Sequence, residues 1–267
     1  MEILIIGGGN MGATYAQSFL RSHVTSLEGM HILERDADKA AALAKRNIGR
    51  VSADPAKAVP AADLLVLAVK PQDAPALFEV LRPLVNPQQV VLSIMAGVKL
   101  ATLSRGLGIN KVVRAMPNLP AQVGEGMTVY TSSEDVTRLE LVMVQNLLAT
   151  TGKQLYVASE DLLDGATAIS GSGPAYVFYF MQAMMRRARS LGFSESEAEL
   201  LVVQTFAGGL NLYQANDLNC ADWISRVSSR GGTTEAAMHA FAAHTLDASI
   251  ESGLQAAFDR AVELGRA

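Results

Sequence analysis

Residues 2–12 read Glu-Ile-Leu-Ile-Ile-Gly-Gly-Gly-Asn-Met-Gly, a four-residue apolar run entering a glycine turn, with an alanine-bearing helical stretch, residues 13–19, directly behind it. The spacing of Gly7, Gly9 and Gly12 is G-x-G-x-x-G. In that pattern the first glycine permits a tight turn, the second lets backbone approach a pyrophosphate, and the third lets the helix pack on the strand. Strand before and helix behind are the context the fingerprint requires, so the sequence predicts a dinucleotide site with phosphates facing the N–H groups of the helix start.

The rest of the chain fits a two-domain enzyme. Its 267 residues are 49% hydrophobic and 18% charged, an ordinary globular composition. Twenty-two Lys plus Arg against 26 Asp plus Glu leave no basic footprint for nucleic acid. The single cysteine, Cys220, excludes an internal disulfide and a cysteine metal cluster and agrees with a reducing, cytoplasmic setting. No apolar stretch approaches the length of a membrane span, and residues 3–6 lack the basic start and length of a signal sequence.

From residue 1 to 158, β-rich apolar runs (residues 3–6, 31–33, 64–69, 90–94 and 111–115) alternate with helical patterns, which predicts an α/β Rossmann-like domain with a mainly parallel sheet. Asp54 with Pro55 marks a helix start, residues 126–130 and 154–157 extend the sheet, and a helical pattern opens at Ser133-Glu134-Asp135 between them. Beyond Glu160 apolar residues recur at helical spacing through 174–191, 195–214 and 246–264, so residues 159–267 are expected to form an all-α domain. Val177, Phe178, Phe180, Met181, Met184 and Met185 surround one helix almost completely. A helix apolar on nearly all sides needs neighbours on all sides, so a homodimer through the helical domain is expected.

Candidate site residues follow from the fold. At the end of the second strand, where an acceptor ribose is read, stand Glu34, Arg35 and Asp36. A carboxylate there suits an unphosphorylated ribose and a guanidinium suits a 2′-phosphate; a solvated strand end is the plain alternative. The runs Ala68-Val69-Lys70-Pro71 and Ser93-Ile94-Met95-Ala96-Gly97 end strands on the ligand side, with Lys70 either there or a solvated loop cation. Arg114-Ala115-Met116-Pro117-Asn118-Leu119-Pro120 ends the next strand in a proline-bounded loop, where Asn118 offers both donor and acceptor.

In the helical half, Ile169-Ser170-Gly171-Ser172-Gly173-Pro174 reads as a helix start with a serine cap and Pro174 at the first helical position. Ser229-Arg230-Gly231-Gly232-Thr233-Thr234-Glu235 leads into an apolar-periodic helix, and its free N–H groups and hydroxyls make either an anion pocket for a carboxylate or an ordinary helix cap. The four histidines suggest no metal site: His239 and His244 are five apart, which does not stack two imidazoles on a helix face.

Taken together, these motifs resemble the pyrroline-5-carboxylate reductase family over essentially the full length. The resemblance implies reduction of 1-pyrroline-5-carboxylate to L-proline with NADPH, or NADH as the alternative, by a homodimer or larger homo-oligomer. It implies cofactor contacts at Ile6, Gly7, Gly8, Gly9, Asn10, Met11, Gly12, Arg35, Ala68, Val69, Lys70, Pro71, Ile94, Met95, Ala96 and Asn118. Substrate contacts are implied at Glu160, Ser229, Gly231, Gly232, Thr233 and Thr234, with Thr234 as catalytic hydroxyl. Two positions depart from the family: Arg230 replaces its usual proline, and Pro55 stands where asparagine is frequent. A rival 3-hydroxyacid dehydrogenase of similar plan needs a general-base lysine in the helical domain, and no lysine follows Lys153. A catalytically silent cofactor-binding sensor is the other alternative.

Overall fold

The computed structural model describes residues 1–265. Strands β1 (Ile3–Ile6), β2 (Met30–Leu33), β3 (Arg50–Ser52), β4 (Leu64–Leu67), β5 (Val90–Ser93), β6 (Val112–Met116), β7 (Gly126–Ser132) and β8 (Gly152–Tyr156) form one sheet in the order 3-2-1-4-5-6-7-8. All neighbouring pairs are parallel except β6–β7, which is antiparallel. The order reverses between β1 and β4, and an open α/β sheet binds ligands at the carboxyl ends of strands flanking such a reversal.

Between the strands run α1 (Asn10–Arg21), α2 (Ala37–Lys45), α3 (Pro55–Ala61), α4 (Ala74–Leu81), α5 (Leu100–Leu107) and α6 (Arg138–Ala149). Successive residues of β1 point to opposite faces, and both faces are covered. Ile3 and Ile5 join the core with Tyr15 and Phe19 of α1 and Leu147 of α6, while Leu4 and Ile6 join that with Phe78 of α4 and Leu103 of α5. Two-sided burial is why β1, β4 and β5 are continuous apolar runs rather than alternating ones. Each fully buried Ile or Leu contributes about 1.5–3 kcal/mol relative to exposure.

Three local expectations are corrected. The short strand β3 is absent from the sequence reading because Arg50 and Ser52 are polar and the strand is at the sheet edge. Helix α6 begins at Arg138, not near Ser133, because Thr137 and Glu140 form a reciprocal capping box, each side chain bonding the other's backbone N–H. Ser170 and Ser172 do not cap a helix start either. Helix α7 (Leu162–Ala166) continues through a π-helical turn (Thr167–Gly171) towards α8 (Gly173–Ser190), with Ser172 in helical conformation. Ser170 Oγ bonds back to the Ala166 carbonyl at 2.9 Å.

Among the described residues only helices follow β8: α7, α8, α9 (Glu195–Gln214), α10 (Cys220–Val227), α11 (Thr233–Ala243) and α12 (Leu246–Leu264). The compact units do not divide at 158. Residues Met1–Pro174, with the chain from Ala257 onward, form one unit, and Ala175–Ala256 the other. Helix α7 belongs to the first because it packs on β6 and β7, with Leu163 fully buried. The end of α12 belongs there too: a Cβ on Gly97 would stand 3.1 Å from the Leu264 carbonyl. Within the second unit α8 has no buried residue, and Phe178, Tyr179 and Leu200 are 58%, 67% and 68% exposed. Among the described residues no helix is long and apolar enough to cross a membrane.

Candidate active site

In the first unit the glycine loop links β1 to α1. Gly7 has φ +102°, which favours glycine, and a Cβ there would lie 2.8 Å from the Ala68 carbonyl oxygen after β4. A Cβ on Gly12 would collide with the Gly7 carbonyl oxygen, so this glycine lets α1 pack against the turn. Gly9 is different: a Cβ there would meet nothing within 4 Å. The space in front of Gly9 is open to a ligand. Gly9 is also the N-cap of α1 and offers no side chain to its first-turn N–H groups, which leaves the loop complementary to a pyrophosphate.

Around this loop the predicted cofactor residues fall into distinct environments. Ala68 donates its N–H to the Ile6 carbonyl at 2.8 Å, tying the β4 turn to the glycine turn. Lys70 and Pro71 are exposed and open a short 3₁₀ turn, Pro71–Asp73. Ile94 and Ala96 are half-buried, but the Met95 side chain is in the core and only 2% exposed, so Met95 presents backbone alone to any ligand. Arg35 is exposed and paired with Asp73 at 3.2 Å. Asp36 caps α2, and the hydrogen bond from Lys39 N–H holds its carboxyl below the ordinary aspartate range.

The Asn118 amide is occupied at both ends: Nδ2 donates to the Ser170 carbonyl at 3.0 Å, and Oδ1 accepts the Met127 N–H at 2.8 Å. These bonds fix the loop after β6 and were not foreseen from sequence. Neither was the ion cluster around Arg114. This side chain, 3% exposed, donates to Glu160 Oε1 at 2.9 Å and to Asp164 Oδ1 at 3.2 Å. Glu160 Oε1 also accepts the Leu100 N–H at 2.8 Å. Glu160, expected beside substrate, is therefore a strut between β6 and the start of α5. The residues 114 and 160 are too far apart in sequence for spacing to reveal the pair.

In the second unit, α10 ends at Val227 and α11 starts at Thr233. Gly231, with φ +70°, turns the chain and donates its N–H to Glu235 Oε2 at 2.7 Å. The Gly232 N–H, expected among the anion donors, is instead engaged by the Ser229 carbonyl at 2.9 Å. Gly232 is the N-cap of α11 and supplies no side-chain cap, so the first-turn donors are those of Thr233 and Thr234. The Thr234 side chain is half-buried, while Ser229 and Arg230 are exposed. Among the described residues no group of three or more His, Cys, Asp or Glu could hold a metal ion.

Comparison with known proteins agrees along the whole chain. Residues 160–264 match the family model described as pyrroline-5-carboxylate reductase dimerisation, and residues 2–97 match one described as NADP oxidoreductase, coenzyme F420-dependent. The pyrroline-5-carboxylate reductase of Pseudomonas aeruginosa is 36% identical over 264 residues, covering 98% of this chain and 96% of that protein. The structure of a pyrroline-5-carboxylate reductase from Coxiella burnetii aligns with a TM-score of 0.87 at 30% identity over 98% of both chains. Pyrroline carboxylate reductase from Plasmodium falciparum, crystallised with NADP bound, gives a TM-score of 0.90 at 24% identity, covering 99% of this chain and 98% of that one, a match of fold. With full-length relatives above 30% identity, the chain belongs to the pyrroline-5-carboxylate reductase family.

Proposed function

We propose that this family member reduces the imine of 1-pyrroline-5-carboxylate to L-proline with a reduced nicotinamide cofactor held on the first unit and a substrate carboxylate held at the start of α11. The observation that carries the reading is the pairing, in one chain, of two uncapped helix starts behind glycine turns. One has open space over Gly9, and the other has its donors at Thr233 and Thr234.

The cofactor, when bound, supplies the hydride. The chain supplies geometry. The backbone at Gly9–Gly12 would hold the pyrophosphate, while the turns at Ala68–Pro71 and Ile94–Ala96 would border the nicotinamide half. Ser229 and Gly231 shape the substrate loop, the Gly232 bond to Ser229 keeps it closed on itself, and Thr233 and Thr234 N–H groups hold the carboxylate. Glu235 draws in the Gly231 N–H and so fixes the turn in place of the family's proline, leaving Arg230 as a nearby cation. The Thr234 hydroxyl would hydrogen-bond the ring nitrogen and relay to it a proton resupplied by solvent as the imine carbon takes the hydride. Binding and orienting each reactant at its own helix start is the main catalytic contribution. Glu160 enters this reading through the resemblance alone, its bonds being those to Arg114 and Leu100.

The reading includes a homodimer, supported by the match of residues 160–264 to a dimerisation model and by the uncovered apolar side chains of α8 and α9. It also includes a cytoplasmic location, supported by the one cysteine, exposed and unpaired. The test is absorbance of the reduced nicotinamide, followed as loss with reduced cofactor and 1-pyrroline-5-carboxylate and as gain with oxidised cofactor and 3-hydroxy acids. Loss with the cyclic imine and no gain with 3-hydroxy acids supports the reading, and gain with 3-hydroxy acids without loss with the imine would end it.

A further inference from the structure

The acidic residue that ends β2 is built into the glycine loop. Glu34 is 8% exposed, its Oε2 accepts the Gly8 N–H at 3.1 Å, and its Oε1 accepts the Asp36 N–H at 3.0 Å. Two backbone donors thus clamp both oxygens of one carboxylate. The clamp is at the end of the second strand, where a dinucleotide fold meets the 2′ position of the adenosine ribose.

The geometry points to Glu34 as the residue that makes this enzyme select NADH over NADPH, an inference that rests on the cofactor site proposed above. An ionised carboxylate is an acceptor only, and a ribose 2′-hydroxyl donates to it directly. A 2′-phosphate brings about −1.5 to −2 charges and no donor when ionised, so it meets a fixed like charge. Moving Glu34 aside would strip the Gly8 and Asp36 N–H groups of their acceptor, which a buried site resists.

The surrounding charges do not offset this. Arg35, the candidate phosphate clamp, has its side chain 82% exposed and directed to Asp73. Lys39 pairs with Asp36 at 3.8 Å, and Lys57 with Asp54 at 3.7 Å. The ends of β2 and β3 and the first turns of α2 and α3 thus add Asp36, Asp38 and Asp54 to Glu34 against Arg35, Lys39 and Lys57.

The experiment is a fluorescence titration of the purified full-length protein with NADH and with NADPH, without substrate, followed by kcat/KM for each. The wild type is expected to bind NADH on the order of tenfold or more tighter, since one hydrogen bond to a charged group corresponds to roughly 10- to 150-fold. Glu34→Gln, which keeps an acceptor for one N–H, and Glu34→Ser should shift the NADH/NADPH ratio towards NADPH by about that factor. Arg35→Ala should leave the ratio nearly unchanged. A wild type that prefers NADPH overturns the inference even if neither Glu34 variant folds, and so does an unchanged ratio in a folded variant. Binding of neither cofactor would instead overturn the glycine-loop assignment itself. Since no substrate enters the titration, failure of the imine assay leaves the result readable.

Discussion

Asn118 Nδ2 donates to the carbonyl of Ser170 across 3.0 Å, and the α-helical partner of that carbonyl would be the N–H of residue 174, which is proline. A side chain 52 positions away thus supplies the donor that Pro174 lacks. The same amide accepts the Met127 N–H, so one residue ties the loop after β6 to β7 and to the π-helical turn.

Asn118→Ala should therefore destabilise the protein by about 1–3 kcal/mol, the cost of leaving partly buried backbone groups unpaired. The check is the midpoint of urea unfolding. In a Pro174→Ala background the same substitution should cost less, because residue 174 then carries its own donor. Equal costs in both backgrounds would show that Asn118 does not stand in for it.

Gly9 and Gly12 should respond oppositely to alanine. A Cβ on Gly9 meets nothing within 4 Å and its φ of −66° suits any residue, so Gly9→Ala should fold normally yet lose on the order of tenfold or more in cofactor affinity. Gly12→Ala should lose stability as well, because its Cβ collides with the Gly7 carbonyl oxygen. Thermal unfolding and nicotinamide fluorescence titration together separate the two.

Acid sensitivity should appear at Glu140. Burial alone would raise its pKa, but the Lys111 ammonium at 2.7 Å and the Thr137 N–H and hydroxyl outweigh burial and hold the carboxyl below its ordinary value. A carboxyl depressed in the folded state stabilises above its unfolded value, near 4.3, and the stabilisation is lost as pH falls through the folded value. Lys111→Met should cost about 1–2 kcal/mol at neutral pH and progressively less below about pH 4. Urea midpoints for both proteins across that range test this.

The glycine fingerprint, the parallel sheet and the switch to helices after β8 were all legible, because they rest on residue periodicity and on glycine spacing. What escaped rests on pairs distant in sequence. Arg114 with Glu160, Glu34 with Gly8 and Asn118 with Ser170 have no local signature, since each forms only once the strands are aligned. The Thr137–Glu140 capping box has a local signature, but the acidic Ser-Glu-Asp run four residues upstream of Thr137 offers a competing helix start. At the start of α11 the helix start itself is legible, but the engagement of the Gly232 N–H is not, because the turn bond from Gly232 to Ser229 depends on the positive φ of Gly231.

Thr234→Ala should lose roughly 10- to 150-fold in kcat/KM, the equivalent of one hydrogen bond of about 1.5–3 kcal/mol to the charge that develops on the ring nitrogen as hydride arrives. Cofactor affinity and oligomeric mass should be unchanged, since Thr234 is in the second unit and the glycine loop in the first. Full activity would return Gly231–Thr234 to an ordinary helix start.

The most direct test of the proposed activity follows the hydride itself. Reduced nicotinamide carrying deuterium at the transferred C4 position is incubated with the enzyme and 1-pyrroline-5-carboxylate, and the product is examined by mass spectrometry and NMR. The account predicts proline with a single deuterium at C5, the ring carbon beside nitrogen that does not carry the carboxylate, formed one-for-one with oxidised cofactor. Proline with only solvent hydrogen at C5, or cofactor oxidation without proline, would contradict it.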